Sequence, residues 1–446
     1  MAAAMERGAS AVIVAAPEQR HITLSWLIRT ILTWTFLISF AQYEMQSSVI
    51  QFLPMALLAL CSLLVLSGRH RGHRLQHLLS GGGLWFAGML FGEAVSDTSH
   101  DTYSILYGLV FLGVFLCARL VLQEIGLANV IRAYSDAGLL VCFIILLSGR
   151  GSLFAGQGVR FTGGTRAHPN LVGFILAGFF PMVVWRAMEE NRPWRKRAYV
   201  ALSAATFGLI FLTGSRGSLS AVMLAGGALF LRGVARGWFR KMRVTHLLVI
   251  VVLMLLPLAL AYLLANHRLE HVTDYITEYL ALKTSQRGIT SGMSGRTGIW
   301  KIAFRLLRNR DRWFFGFGYR AGDRMVGTID NGYVQLVFES GLIAGGLIFG
   351  SMLRVFVLLW KASAPRENNA WTRFYMVLWC LMIVYFFNNI STRYLFSFGS
   401  PFSLCVLFMM AASREELVGS QARMHTRKAG PAPRLAPAAS LGHSGD

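Results

Sequence analysis

Apolar runs of membrane-spanning length recur along the whole chain, and runs of that length leave few folds open. They fall near residues 22–40, 49–67, 78–95, 104–122, 130–148 and 170–187, then near 198–213, 218–232, 245–265, 334–360, 373–388 and 400–413. In hydrocarbon a spanning segment must satisfy its own backbone N–H and C=O groups, so each run is expected as a helix. The 446 residues are 54% hydrophobic and only 14% charged, and mean hydropathy is +0.51, which excludes an ordinary soluble globule. The expected fold class is therefore an all-α polytopic membrane protein of about twelve transmembrane helices. The run at 218–232 is short, and is expected to be tilted, broken or partly inserted.

Charge sets the orientation. The net charge of +22 would suit nucleic acid, but the cations cluster between apolar runs and in the tail, with no aromatic-basic binding face. Arg69, Arg71 and Arg74, then Arg192, Arg195, Lys196 and Arg197, then Arg236, Arg240, Lys241 and Arg243 occupy three loops on one side of a twelve-span plan. The positive-inside rule makes that side cytoplasmic and puts both termini there. The opposite loop between runs 3 and 4 carries Asp97 and Asp101 and no Lys or Arg. The resulting plan is a cytoplasmic N-terminus at 1–21, helices 1–9 over 22–265, an outer loop at 266–333, helices 10–12 over 334–413, and a disordered basic tail at 414–446. Cys61, Cys117, Cys142, Cys380 and Cys405 all lie inside apolar runs with no paired spacing, and read as packing residues.

On the outer side the chain carries arginines where a membrane protein should avoid them. A cation at membrane depth costs roughly 2.5–3.5 kcal/mol even on mild insertion scales, and a bound anion is the simplest compensation. Arg216 lies in Gly214-Ser215-Arg216-Gly217-Ser218, where Ser215 and Ser218 could cap the next helix. Arg296 immediately precedes a stretch, 297–308, that puts Ile299, Trp300, Ile302, Ala303, Leu306 and Leu307 near one helical face. Each arginine thus stands beside a helix start, where free N–H groups and the dipole favour anions, and guanidinium binds oxyanions in a bidentate fashion. A snorkelling arginine and an ordinary loop arginine are the plainer readings.

Two further clusters share that side. Residues 160–170 carry Arg160, Arg166, His168 and Asn170, with Pro169 suited to the first turn of the next helix and His168 just outside it. Asp330, Asn331 and Tyr333 open the tenth run, and Glu339 lies two to three turns deeper. Asp330 suits a helix N-cap; its sharper role is a general base for an acceptor hydroxyl. Glu339 is a buried partner for an arginine or a second acid/base group. The aromatic turn Phe314-Phe315-Gly316-Phe317-Gly318-Tyr319 could line a sugar or lipid site. No DxD in the outer loops, HExxH, cysteine cluster or P-loop is present, so no metal or cofactor is expected and the arginines would neutralise a diphosphate.

These segments, in this order, resemble the O-antigen ligase and Wzy-type polysaccharide polymerase superfamily. The resemblance rests on 160–170 (R-x-x-G…H-P-N), 213–219 (G-S-R-G-x-L), 295–300 (G-R-x-x-I-W), Gly316-Phe317-Gly318, and 330–345. It implies a GT-C-type fold with a large periplasmic loop containing amphipathic helices, in the bacterial inner membrane. The implied activity is inverting, metal-independent glycosyl transfer from an undecaprenyl-diphosphate-linked glycan donor to a glycan or lipid A–core acceptor. Arg216 and Arg296, with Arg160 and Arg166, would hold the diphosphate. Asp330 or His168 would be the base, and Ser215, Asn170, Asn331, Tyr333 and Glu339 would support them. Asp330-Asn331 stands where a ligase usually carries histidine, which favours a polymerase over a ligase. A flippase and a chain-length regulator are the implied protein partners, beside membrane lipid. A transporter of lipid-linked glycans is the competing class, but it should show paired halves and midplane charges.

Overall fold

The computed structural model describes residues 24–41, 48–67, 102–149, 161–163, 168–235, 296–364, 370–393, 395, 400–414 and 417. The runs near 78–95 and 245–265, the first part of the outer loop, both termini, Arg160 and Arg166 lie outside the described residues. Among the described residues every regular element is a helix. In chain order these are α1 (Leu24–Ala41), α2 (Ser48–Leu66), α3 (Thr102–Ser148), α4 (Pro169–Glu189), α5 (Pro193–Leu212) and α6 (Arg216–Ala235). They continue with α7 (Arg296–Asn309), α8 (Ala321–Met325), α9 (Gly332–Ala362), α10 (Ala370–Asn388) and α11 (Pro401–Ala411).

Six helices, α1, α3, α4, α6, α9 and α10, are long and apolar enough to cross a membrane. Two of them are interrupted. α3 joins the runs 104–122 and 130–148 across a non-helical Gly126, and α9 is broken at Gly341 (φ 70°, ψ −177°). Of the tilted, broken or partly inserted span expected at 218–232, α6 is not broken: it is a 20-residue helix that starts two residues before the apolar run.

α4 is the central post. Every residue from Leu171 to Val183 is buried, because helices pack on all its sides. An aromatic column runs through the bundle beside it: Phe36 to Tyr134 (5.2 Å between centroids), Tyr134 to Phe179 (4.8 Å), and Phe174 to Phe402 (5.2 Å). α6 and α9 instead expose Met223, Leu231, Leu342 and Leu353, as lipid-facing helices do. All five cysteines are free thiols, four of them buried, in keeping with packing roles.

The helices alternate in direction, so the bundle has two distinct ends. At one, Phe161 N donates to Leu212 O (3.0 Å) and Ser148 Oγ to Gly163 O (2.6 Å), tying the ends of α3 and α5 together. Gly173 of α4 lies against Thr213, Ser215 and Ser218, where an added Cβ would come within 2.7 Å of Ser215 Cβ. At the other end the Arg232 guanidinium of α6 stacks 3.5 Å from the Trp360 ring centroid of α9, and Arg373 of α10 pairs with Glu189 of α4 at 3.6 Å. One turn before Glu189, Arg186 of α4 joins Arg29 of α1 in donating hydrogen bonds to Asp136 of α3. That pairing explains how three charges are tolerated within helical segments.

Candidate anion site at one end of the bundle

The two arginines expected beside helix starts, Arg216 and Arg296, each stand at the first residue of a helix. Arg216 is the first residue of α6 and Arg296 the first residue of α7, one residue earlier than the amphipathic pattern predicts. α7 buries Ala303 and Leu307, while Ile302 is 47% exposed and so lies off the buried face.

What brings the two helix starts together is a turn without a sequence motif of its own, residues 388–392 at the end of α10. Gly217 lies so close to this turn that a Cβ would stand 1.9 Å from Ser391 Oγ. Arg296 Nη1 donates to Ser391 O at 3.2 Å. Ser391 is therefore the shared neighbour of both helix starts. Asn388, fully buried, accepts from Ser218 Oγ at 3.3 Å, and Ser218 Oγ is 2.9 Å from Ser215 Oγ. Ser215 thus belongs to a side-chain relay; its carbonyl, which accepts from Leu219 N at 2.9 Å, starts the helix. The amide nitrogen of Asn388 is buried with no partner among the described residues.

α9 brings the carboxylate. Arg296 Nη2 lies 3.4 Å from Asp330 Oδ2, with the two side chains 21% and 40% exposed. Asp330 is not the helix cap, contrary to the plainer expectation. Asn331 caps α9, its Oδ1 accepting from Tyr333 N and Val334 N at 3.0 Å each. Asn331 Nδ2 also donates to Ile390 O (3.0 Å), and Gly332 N donates to Asn389 O (2.8 Å), locking α9 onto the same turn. Tyr333 turns inward, its hydroxyl donating to Phe386 O at 2.7 Å. Asp323 of α8 pairs with Arg393 at 2.6 Å, just beyond the turn.

His168 and Asn170 sit at the start of α4, on the same end of the bundle. His168 is the N-cap, its Nδ1 accepting from Asn170 N at 3.2 Å, with Pro169 following as expected. A neutral ring whose Nδ1 accepts here carries its proton on Nε2. Glu339 is 5% exposed and accepts from Gln335 Nε2 at 3.0 Å, one turn earlier on α9.

The aromatic-glycine turn serves the broken helix. Phe317 N and Gly318 N donate to Phe338 O and Glu339 O at 2.9 Å each, while Leu342 N donates to Trp313 O at 2.7 Å. These bonds satisfy the backbone groups that the break at Gly341 leaves open. Among the described residues no group of three or more His, Cys, Asp or Glu side chains is placed to hold a metal ion.

Fold and site together define a multi-pass helical membrane protein with a cationic cluster, and one facing carboxylate, at one end of its bundle. Residues 201–350, about a third of the chain, match the family model described as O-Antigen ligase. This upholds the resemblance to the O-antigen ligase and Wzy-type superfamily over the segment that holds Arg216, Arg296, Asp330 and Glu339; residues 160–170 and the 388–392 turn fall outside it. No curated protein matches the chain.

Proposed function

We propose that the chain is an inverting, metal-independent glycosyltransferase of the GT-C type that polymerises undecaprenyl-diphosphate-linked repeat units. Its site would lie on the periplasmic side of the bacterial inner membrane, with twelve spans and both termini in the cytoplasm. The observation that carries this reading is Arg296 held between Ser391 O and Asp330, with Gly217, the chain neighbour of Arg216, packed on the same Ser391. Two guanidiniums and two helix starts suit a diphosphate. The acceptor hydroxyl oxygen attacks the anomeric carbon of the donor glycan as Asp330 takes the hydroxyl proton. The bond from that carbon to the diphosphate oxygen breaks, and its electron pair leaves on the carrier diphosphate, which the arginines stabilise. Such preorganised charge stabilisation is commonly worth about 10²–10³-fold in kcat per donor.

Arg216→Ala and Arg296→Ala are each expected to reduce polymer formation about 10²–10³-fold while the protein still inserts. Glycan analysis of complemented deletion cells checks this, and normal polymer yield in both variants would sink the proposal. Asp330→Asn is expected to remove turnover; retained turnover would make Asp330 a structural partner of Arg296 only. The same family match is equally consistent with a second reading, transfer of finished polymer to lipid A–core. Deletion separates the two: single repeats at the surface mean polymerase, and full-length polymer stranded on carrier lipid means ligase.

A further inference from the structure

The ion pair between Arg296 and Asp330 occupies the seat that an anion would take, and its two halves are held differently. Arg296 spends both terminal nitrogens, Nη1 on Ser391 O at 3.2 Å and Nη2 on Asp330 Oδ2 at 3.4 Å. Ser391 O is a backbone acceptor inside a turn closed by Ser391 N donating to Asn388 O at 3.0 Å, so that contact stays with the fold. The Asp330 contact is looser than an ordinary charge-assisted bond, which runs near 2.7–2.9 Å. Its side chain is 40% exposed, while the helix start behind it is pinned independently by Asn331. A partly exposed ion pair contributes little stability, so an incoming anion replaces it at small cost.

We infer that Asp330 is the resting counter-ion of Arg296, displaced when a diphosphate binds, so that donor binding releases the carboxylate that serves the acceptor. This inference rests on the glycosyl-transfer reading above and adds an order to it. Before the donor arrives Asp330 is engaged with Arg296. Once the diphosphate oxygens take Nη2, the carboxylate is free to accept a hydrogen bond from the acceptor hydroxyl. An acceptor arriving first meets no available base, which guards the site against transfer without a donor.

The test is binding of undecaprenyl diphosphate to the full chain in nanodiscs. Asp330→Asn is expected to bind this probe about two- to five-fold more tightly than the unaltered protein, because Arg296 no longer has a charged competitor. In an Arg296→Gln background the same change is expected to leave affinity unaltered. Asp323→Asn, which removes an equal charge from the neighbouring pair with Arg393, is expected to leave affinity unaltered as well. Asp330→Ala supplies a second variant, to be used if the asparagine form unfolds. Equal or weaker binding by both Asp330 variants overturns the inference, as does equal tightening in the Arg296→Gln background or by Asp323→Asn. An unaltered protein that fails to bind the probe overturns the glycosyl-transfer reading itself, which distinguishes the two failures.

Discussion

At the scale of single residues, the division of labour at the start of a helix decides which side chain can do chemistry. Asp330 and Asn331 are neighbours, and only one can cap α9. Asn331 does so with two backbone bonds, which leaves the Asp330 carboxylate facing Arg296. At the start of α4 the opposite holds, since His168 is itself the cap. His168→Asn keeps an acceptor at the cap and is expected to retain turnover, whereas His168→Ala is expected to lose about 0.5–2 kcal/mol of stability. Thermal unfolding and a transfer assay on the two variants check this, and loss of turnover in a stable His168→Asn protein would restore histidine as the base. Arg216, Arg296 and Asp330 were legible because cations are costly in apolar surroundings and a polar pair at a span boundary stands out. Asn388 and Ser391 were not. The run Asn388-Asn389-Ile390-Ser391-Thr392 after an apolar helix looks like any polar span end, and its importance lies in what it touches.

At the scale of elements, α9 shows how a broken helix is made tolerable. Gly341 has φ +70°, and its Cβ position stands 2.3 Å from Phe314 O; Gly316 has φ +69°, and its Cβ position stands 2.4 Å from Glu339 O. Both glycines are required by the same stitch, in which the 313–318 turn lies backbone to backbone against the break. Gly341→Ala and Gly316→Ala are each expected to destabilise the protein by about 1–3 kcal/mol from backbone strain alone, with the overlap adding to it. Lower yield and a lower unfolding temperature in detergent are the readout, with Arg216→Ala as the comparison that should unfold normally. The sequence reading saw a continuous span at 334–360 and a separate aromatic turn. Hydrophobicity averages over a window, so it cannot register one residue of left-handed backbone or the turn that pairs with it.

At the scale of the whole molecule, the site exists because helices distant in sequence start or stop at the same end of the bundle. α6 and α9 begin there, α10 ends there, and α7 lies across it with Arg296. Trp194, the second residue of α5, lies at the opposite end and is 64% exposed, while Met325 on α8 is 38% exposed at the site end. With the native cysteines replaced, Met325→Cys is expected to react with an impermeant thiol reagent in intact spheroplasts. Trp194→Cys is expected to react only after the membrane is opened. Labelling of both from outside would refute the proposed topology.

The described helix positions, the arginines at helix starts and the basic bias of the short loops are written in the sequence, because each follows from local hydrophobicity, capping and charge. Which helix starts meet is not a local property. Ser391 touches Gly217 and Arg296 only because α10 packs between α4, α6 and α9, and those contacts join residues far apart in sequence, 53 positions for Tyr333 and Phe386 and 95 for Arg296 and Ser391. Tertiary packing alone decided that Gly217 and Arg296 share one neighbour, that Asp330 faces Arg296, and that the aromatic turn seals a helix break.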